Sequence, residues 1–222
     1  VFDDADIDAA VRGALISKYR NSGQTCVCTN RILVQNTIHD VFVEKLVAAT
    51  ADLKMGNGLD DDVQQGPLVN EKAVEDVDRL VRLSTEAGAQ VALGGMRSDL
   101  GPCYYHPTVL TGITSDMAVF RNEIFGPVAP VMSFADETEA IALANDTEFG
   151  LASYFYTRDI GRVWRVSEAL DYGMVGVNEG IISNEMAPFG GVKASGSGRE
   201  GSKYGIDDYL EIKYILMGGL DR

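Results

Sequence analysis

The sequence has few cysteines and histidines, and their scarcity excludes several kinds of site. Three cysteines and two histidines occur among 222 residues. An odd number of cysteines without framework spacing argues against a disulfide-stapled secreted domain. Cys26, Cys28, Cys103, His39 and His106 also lack the spacing of the four ligands that usually hold a structural zinc ion. We therefore predict reduced thiols and no metal site.

Long apolar runs and net positive charge are absent too. No stretch approaches the ~20 apolar residues that span a bilayer, and we expect no signal peptide. A net charge of −14 disfavours duplex nucleic acid and anionic membranes as partners. We expect a cytoplasmic protein, or one of the mitochondrial matrix in a eukaryote. The chain begins at Val1 rather than at a methionine, and it looks like the interior of a longer protein.

Strand-like and helix-like patterns alternate along the chain. Ile7, Val11, Ala14, Leu15 and Lys18 recur at helical spacing. Further helix-like segments lie at 38–47, 74–84, 138–144 and 160–170, and strand-like segments lie at 31–35, 90–95, 104–112, 129–135, 152–157 and 173–178. Such alternation predicts an α/β fold with a mostly parallel sheet flanked by helices.

The last part of the chain changes character. Residues 188–205, "PFGGVKASGSGREGSKYG", are rich in glycine and have no apolar periodicity, which predicts a long ordered loop. Residues 209–214 then alternate between apolar and polar side chains. This alternation predicts a terminal strand, and we expect it to pair away from the main body, with another subunit.

The stretch "NSGQTCVC", residues 21–28, places two cysteines in a polar loop between a predicted helix and a predicted strand. A thiolate is a nucleophile, and a glycine-containing loop allows close approach of a substrate. A buried, inert thiol is the alternative, and it suits Cys103 best. A cysteine protease would need a histidine base, but His39 and His106 look like surface and structural residues.

The stretch "RNEIFGPVAP", residues 121–130, combines a glutamate and an aromatic residue with a Gly-Pro turn before a strand. Locally it can be read as a plain turn with a solvated Glu123. The later "GSGREG" follows a loop rather than a strand and does not have the spacing of a dinucleotide-binding fingerprint.

Taken together, "GQTC", "EIFGP" and "PFGGVKASGSGREG" resemble, in this order and separation, the motifs of the aldehyde dehydrogenase superfamily. The resemblance covers essentially all 222 residues. "NSGQTCVC", "NDTEFGLA", "EGIISNE" and "GREGSKYGIDDYLEIKY" are most similar to its succinate-semialdehyde dehydrogenase branch.

The resemblance implies oxidation of an aldehyde to an acid with NAD or NADP. Cys26 would be the nucleophile that forms a thiohemiacetal and then a thioester. Glu123 would bind the nicotinamide ribose, and Phe125 would pack beside the nicotinamide. Phe189 resembles a substrate-pocket residue, and Glu200 resembles a carboxylate near the proton path.

The resemblance also implies a substrate that carries a distal carboxylate. Arg20 and Ser183 match positions that bind this group in the succinate-semialdehyde enzymes, and arginine suits planar carboxylates. The same pair would accept glutarate semialdehyde or a similar short carboxylated aldehyde. Arg20 considered alone could equally be a surface or structural arginine.

Members of this family are much longer than this chain. Their nucleotide-binding domain, general-base glutamate and oxyanion asparagine would all precede Val1. We therefore expect residues 1–187 to be the catalytic domain, and 188–222 to be a glycine-rich loop with an oligomerisation strand that supports a homo-oligomer. This chain alone should be inactive, and a non-enzymatic assembly module is the alternative.

The second cysteine of the loop has no catalytic task in the family. Cys28 could simply be a small packing residue. Alternatively, it could be a redox partner of Cys26, because two cysteines separated by one residue can bridge if the backbone turns.

Overall fold

The computed structural model describes residues 1–220, in which helices and strands alternate. The helices are α1 (Ile7–Tyr19), α2 (His39–Ala51), α3 (Glu71–Glu86), α4 (Ala118–Arg121), α5 (Glu137–Asn145) and α6 (Ile160–Ala169). The strands are β1 (Ile32–Gln35), β2 (Gln90–Leu93), β3 (Thr108–Thr111), β4 (Val128–Phe134), β5 (Phe149–Gly150), β6 (Ala152–Phe155), β7 (Met174–Val177) and β8 (Val192–Lys193). Only the short α4, β5 and β8 were not predicted, because they are too brief to show a period. Within these residues, no helix has the length and apolar character to cross a membrane.

The largest sheet has four strands in the order β1–β4–β3–β2. Strand β4 runs parallel to β1 and to β3, whereas β2 runs antiparallel to β3. A separate parallel pair is formed by β6 and β7, and the short strands β5 and β8 pair antiparallel. This arrangement confirms the predicted α/β class, in which a mostly parallel sheet is flanked by helices.

Helices cover both faces of the four-stranded sheet. Val109 and Val131 pack in one core with residues of α1 and α2, whereas Leu110 and Val128 pack in another with residues of α3. Successive side chains of a strand point to opposite faces, so β3 and β4 must be apolar on both. Burial of each such side chain contributes about 1.5–3 kcal/mol.

The side chain of Asp6 caps the N-terminus of helix α1, and the buried face of this helix ends at Lys18. The Asp6 side chain accepts a hydrogen bond from the amide of Ala9 at 3.0 Å, as expected for a residue that caps a helix N-terminus. The buried stripe that includes Val11 and Ala14 continues to Lys18, which is only 1% exposed. The apolar periodicity of this helix therefore places a lysine inside the protein.

The residues before α1 connect β1 to β6. The amide of Gln35 donates to the carbonyl of Val1 at 2.9 Å, and the amide of Phe2 donates to the carbonyl of Tyr156 at 3.1 Å. These bonds hold the β6–β7 pair beside the main sheet.

We call residues 21–28 the thiol loop. This loop follows α1 and starts with a strained turn. Asn21, Ser22 and Gly23 have φ angles of 51°, 55° and 77°, in the left-handed region that serine rarely adopts. The surrounding structure holds Ser22 there, because its buried hydroxyl donates to the carbonyl of Gly66 at 2.9 Å.

The thiol loop rests directly on residues 122–127, which we call the Gly-Pro turn. A Cβ atom added to Gly23 would lie 2.1 Å from the carbonyl oxygen of Gly126. A Cβ atom added to Gly126 would lie 2.4 Å from the side chain of Val77 in α3. Only glycine allows both approaches, so the two segments are stacked on the core of the domain.

The C-terminal segment has no strand partner in this chain. Residues 210–220 form no strand within the described part of the chain and pair with none of its strands. The strand predicted at 209–214 was expected to pair with another subunit, so it stays a prediction. The glycine-rich segment, predicted as a loop, contains β8, and the backbones of Phe189 and Glu200 exchange two hydrogen bonds. The division between residues 187 and 188 stays a prediction.

The close contact between Gly23 and Gly126 predicts that a single methyl group added at Gly23 lowers the free energy of unfolding substantially. Gly23→Ala should destabilise the chain by about 2–4 kcal/mol, because the new Cβ meets backbone and the left-handed φ disfavours alanine. The measurement is the free energy of unfolding in urea.

Two control variants separate the effect of the steric clash at Gly23 from the effect of the left-handed backbone conformation. Gly88 has a φ of 109° with nothing within 4 Å of an added Cβ, and Gly58 is equally open. Gly88→Ala should cost about 1–2 kcal/mol, and Gly58→Ala less than about 0.5 kcal/mol. A Gly23→Ala variant no less stable than Gly88→Ala would contradict the close contact.

Candidate active site

The two cysteines of the thiol loop lie on a tight turn at its end. The amide of Cys28 donates to the carbonyl of Thr25 at 2.9 Å. Cys26 is exposed and Cys28 is half-buried, and both are free thiols. Among the described residues, nothing accepts a hydrogen bond from the Cys26 amide. Cys26 thus presents both a thiol and an uncommitted N–H group.

Hydrogen bonds within the thiol loop and to two other segments hold it in place. The Gln24 carboxamide accepts from the amide of Val69 at 2.8 Å and donates to the carbonyl of Asn21 at 3.1 Å. From β6, the Tyr154 hydroxyl donates to the carbonyl of Val27 at 2.9 Å. A loop braced in this way can keep a nucleophile in one orientation.

The Gly-Pro turn is joined to the end of the thiol loop by one asparagine. Asn30 accepts from the amide of Ile124 at 2.9 Å and donates to the carbonyl of Asn122 at 2.8 Å. Between them, Glu123 projects outward, and Phe125 follows with a φ of 50°. A left-handed φ is costly for an aromatic residue, and such strain is concentrated at functional sites.

A cavity of about 420 Å³ brings part of the predicted site together. The residues of its rim include both thiols and the two predicted cofactor-binding residues, namely Cys26, Cys28, Glu123 and Phe125. Lys18 of α1 also lines it. Segments that are distant in sequence therefore meet at one opening.

Burial changes the acidity of three groups around this cavity. Burial lowers the pKa of Lys18 to about 8, against the attraction of Cys28 and Glu123. Partial burial raises the pKa of Glu123, and the charge of Lys18 opposes this shift. Burial raises the pKa of Tyr154 to about 12, although Arg20 acts in the opposite direction. These mutual effects place Lys18 near Glu123, and Arg20 near Tyr154.

The residues predicted to bind the substrate or to serve the proton path do not line this cavity. Arg20 begins the turn after α1 and lies, with both thiols, near Tyr154. Phe189 and Glu200 face each other in a two-residue bridge. Ser183 is exposed. None of these four residues lines the cavity of Cys26.

Three residues of the site were not singled out from the sequence. Tyr154 and Asn30 act through backbone carbonyls and amides of distant segments, and no sequence motif marks such contacts. Lys18 carried a signal, because it occupies a position of the apolar stripe of α1, where a charged side chain has to be buried.

The cavity fits the nicotinamide end of a dinucleotide. A carboxylate such as Glu123 accepts hydrogen bonds from two hydroxyl groups, which suits a ribose. Phe125 is 43% exposed, so its ring can lie against a planar group. The thiol of Cys26 stands at the same opening. These residues bring a thiol, a carboxylate and an aromatic ring to one opening.

Sequence and structure comparisons agree on the relatives of this chain. It is 59% identical over 221 residues to a mitochondrial succinate-semialdehyde dehydrogenase of Oryza sativa subsp. japonica, covering 100% of this chain and 42% of the relative. It is 60% identical over 220 residues to a glutarate-semialdehyde dehydrogenase of Pseudomonas aeruginosa, covering 99% of this chain and 46% of the relative. The crystal structure of an E. coli NADP-dependent enzyme superposes with a TM-score of 0.96 at 58% identity, covering 98% of this chain and 45% of that one.

The chain thus spans less than half the length of the relatives that it matches. The sequence profile described as "Aldehyde dehydrogenase family" matches residues 1–215, which is nearly the whole chain. On this match, and on the thiol loop and Gly-Pro turn described above, the chain belongs to the aldehyde dehydrogenase family.

Proposed function

We propose that the protein containing this chain oxidises a short carboxylated aldehyde, and succinate semialdehyde first of all, to the acid with NAD or NADP. The observation that carries this proposal is the meeting of Cys26, Glu123 and Phe125 at one cavity. Membership of the family supports the chemistry, and the names of the two relatives support the substrate class.

Cys26 performs the covalent step. Its thiolate attacks the aldehyde carbon to form a thiohemiacetal, and the amide N–H of Cys26 donates to the oxyanion that develops. One such donor is worth about 2.7–4 kcal/mol in the transition state. A nicotinamide cofactor held by Glu123 and Phe125 would supply the hydride acceptor. Water then hydrolyses the resulting thioester on Cys26 and releases the acid.

Glu123 and Phe125 hold the cofactor in place. The ionised carboxylate of Glu123 accepts hydrogen bonds from the ribose hydroxyls, and the ring of Phe125 limits the movement of the nicotinamide. Such positioning supplies much of the rate enhancement when two reactants must meet. Phe189 and Glu200, which pair in a bridge, serve the substrate side and the proton path.

The distal carboxylate of the substrate is bound by Arg20 and Ser183. Arg20 lies on the turn that begins the thiol loop, so its guanidinium is carried by the same rigid unit as the nucleophile. Both relatives are named for an aldehyde that ends in a carboxylate. Glutarate semialdehyde is therefore the alternative substrate.

The C-terminal segment supports the proposal of a homo-oligomer and an assembly role. Ile212, Tyr214 and Leu216 are 101%, 82% and 81% exposed, and exposed apolar chain of this kind favours burial against a second copy. Such pairing would also supply the strand partner that residues 209–214 lack. An assembly module without activity is the competing proposal for this chain taken alone. The location in the cytoplasm or the mitochondrial matrix stays a prediction.

Turnover tests the proposed function. A full-length protein that carries this chain should reduce NAD or NADP with succinate semialdehyde, and Cys26→Ser should lower kcat on the order of 10³-fold or more. Absorbance of the reduced cofactor is the measurement. The 222-residue chain should show negligible turnover. Full activity of the Cys26→Ser protein would refute the assignment of the nucleophile.

Substrate choice tests the role of Arg20. In the same protein, Arg20→Ala should raise KM for succinate semialdehyde on the order of 10- to 100-fold, because a charge-assisted hydrogen bond worth ~1.5–3 kcal/mol is lost. Butanal, an uncharged aldehyde of similar length, is the control, and its KM should change little. Equal losses on both aldehydes would make Arg20 a structural residue.

Oxidation tests the role of Cys28. We propose that peroxide converts the thiols of Cys26 and Cys28 to a disulfide with release of two water molecules, and that a dithiol restores them. The tight turn between Thr25 and Cys28 supplies the bend that such a small ring requires. A strained, exposed disulfide is readily reduced.

The expected result is recoverable inactivation with a bridged peptide in the mass spectrum. In Cys28→Ala, peroxide should instead cause mostly irreversible overoxidation of Cys26. Identical loss and recovery in both proteins, without a bridged peptide, would leave Cys28 as a packing residue.

A further inference from the structure

The turn that carries Cys26 is anchored at the residue that follows it. The amide of Cys28 donates to the carbonyl of Thr25 at 2.9 Å, and this bond makes a β-turn with Cys26 and Val27 at its centre. The side chain of Val27 is only 3% exposed, whereas Cys26 is exposed. The carbonyl of Val27 accepts a hydrogen bond from the Tyr154 hydroxyl at 2.9 Å. Val27 is therefore held by its side chain and by its backbone.

These hydrogen bonds are connected through two peptide groups. The Val27 carbonyl and the Cys28 amide belong to one peptide group, and the Thr25 carbonyl and the Cys26 amide belong to another. Both peptide bonds are trans, and a trans peptide group is planar, so its N–H points away from its C=O. A hydrogen bond that fixes the direction of one C=O therefore also fixes the direction of the N–H in the same group.

The series of hydrogen bonds begins at the Tyr154 hydroxyl and ends at the Cys26 amide. The first bond joins Tyr154 to the peptide group that follows Val27, and the second joins this group to the one that precedes Cys26. The N–H of Cys26 is the free end, because nothing among the described residues accepts from it. An N–H that is oriented but unoccupied is suited to a ligand oxygen.

We propose that Tyr154 is a positioning residue for the covalent step, which directs and polarises the Cys26 amide through the two intervening peptide groups. This inference rests on the proposed roles of the Cys26 thiol as nucleophile and of its amide as oxyanion donor. Hydrogen bonds connected in series polarise one another, so the Tyr154 hydroxyl strengthens the donor at the other end. A donor stabilises an oxyanion best when it is already aimed at the position where the charge develops.

The strand that carries Tyr154 gives this series a fixed starting point. All four residues of β6 are paired with β7, and a side chain on a strand is placed more precisely than one on a loop. Burial raises the pKa of Tyr154 to about 12, so the hydroxyl keeps its proton and remains a donor below this pH.

Tyr154→Phe tests the proposal, because it removes the hydroxyl and keeps the ring. In a full-length protein that carries this chain, kcat and kcat/KM for succinate semialdehyde should both fall on the order of 10-fold, because one hydrogen bond to the turn is lost. KM should change little, since the interaction acts in the transition state. A similar loss is expected with p-nitrophenyl acetate, an activated ester that acylates a thiol through an oxyanion and needs no cofactor.

Tyr172→Phe is the matched control. The Tyr172 hydroxyl also donates to a backbone carbonyl, that of Ala144 in α5 at 2.6 Å, and Tyr172 lines the same cavity as Tyr154. Its hydrogen bond does not reach the thiol loop. Tyr172→Phe should therefore keep the kinetic constants of the parent. A loss as large as that of Tyr154→Phe would overturn the proposal, because any tyrosine hydroxyl at the cavity would then have the same effect.

Alkylation by iodoacetamide distinguishes the direction of the Cys26 amide from the placement of its thiol. The thiolate displaces iodide from a saturated carbon, and no oxyanion develops in this reaction. Tyr154→Phe should therefore alkylate at Cys26 as fast as the parent, with the same pH dependence, as measured on the Cys26 peptide by mass spectrometry. A parallel loss of alkylation and turnover would mean that the thiol itself has moved, and it would overturn the proposal.

The outcomes also separate this inference from the proposed function. If Tyr154→Phe keeps full turnover while Cys26→Ser abolishes it, the proposed function stands and Tyr154 only packs. If the parent turns over neither the aldehyde nor the ester, the proposed function is wrong and the inference is wrong with it.

Discussion

The close approach of two glycines is the constraint on which the rest of the site depends. A side chain on Gly23 would collide with the carbonyl oxygen of Gly126, and a side chain on Gly126 would collide with Val77 of α3. The thiol loop and the Gly-Pro turn are thereby stacked on the domain core. Cys26 stands on one and Glu123 on the other, so this packing, together with the hydrogen bonds of Asn30, sets the relation between the proposed nucleophile and the proposed cofactor ligand.

The charges of Lys18 and Glu123 also influence each other at this site. Lys18 and Glu123 are both taken partly out of water, and burial shifts each towards its neutral form. Each charge opposes the shift of the other. Because α1 carries Lys18 and leads into the thiol loop, the same helix positions both this charge and the proposed nucleophile.

The sequence predicts most of the fold, because long periodic segments specify it. The apolar stripe from Ile7 to Lys18 predicts a helix, and α1 spans Ile7–Tyr19; the apolar run of β4 predicts a strand, which is buried on both faces. The C-terminal strand stays a prediction, because a strand requires a partner and periodicity does not identify one. The meeting of Cys26 and Glu123 followed only from family resemblance, and the brace from Tyr154 was not predicted at all. Such contacts join distant segments through backbone groups, which leave no pattern in a sequence.

Native-state hydrogen exchange of the chain is the most direct test of the contact between Gly23 and Gly126. The amide of Ile124 in the Gly-Pro turn bonds to Asn30, and the amide of Cys28 bonds within the thiol loop. Gly23→Ala should accelerate exchange at both amides by a similar factor, because the two segments open together, whereas Gly88→Ala should leave both unchanged. Faster exchange at Cys28 with full protection at Ile124 would show that the two turns are independent, and it would contradict the account.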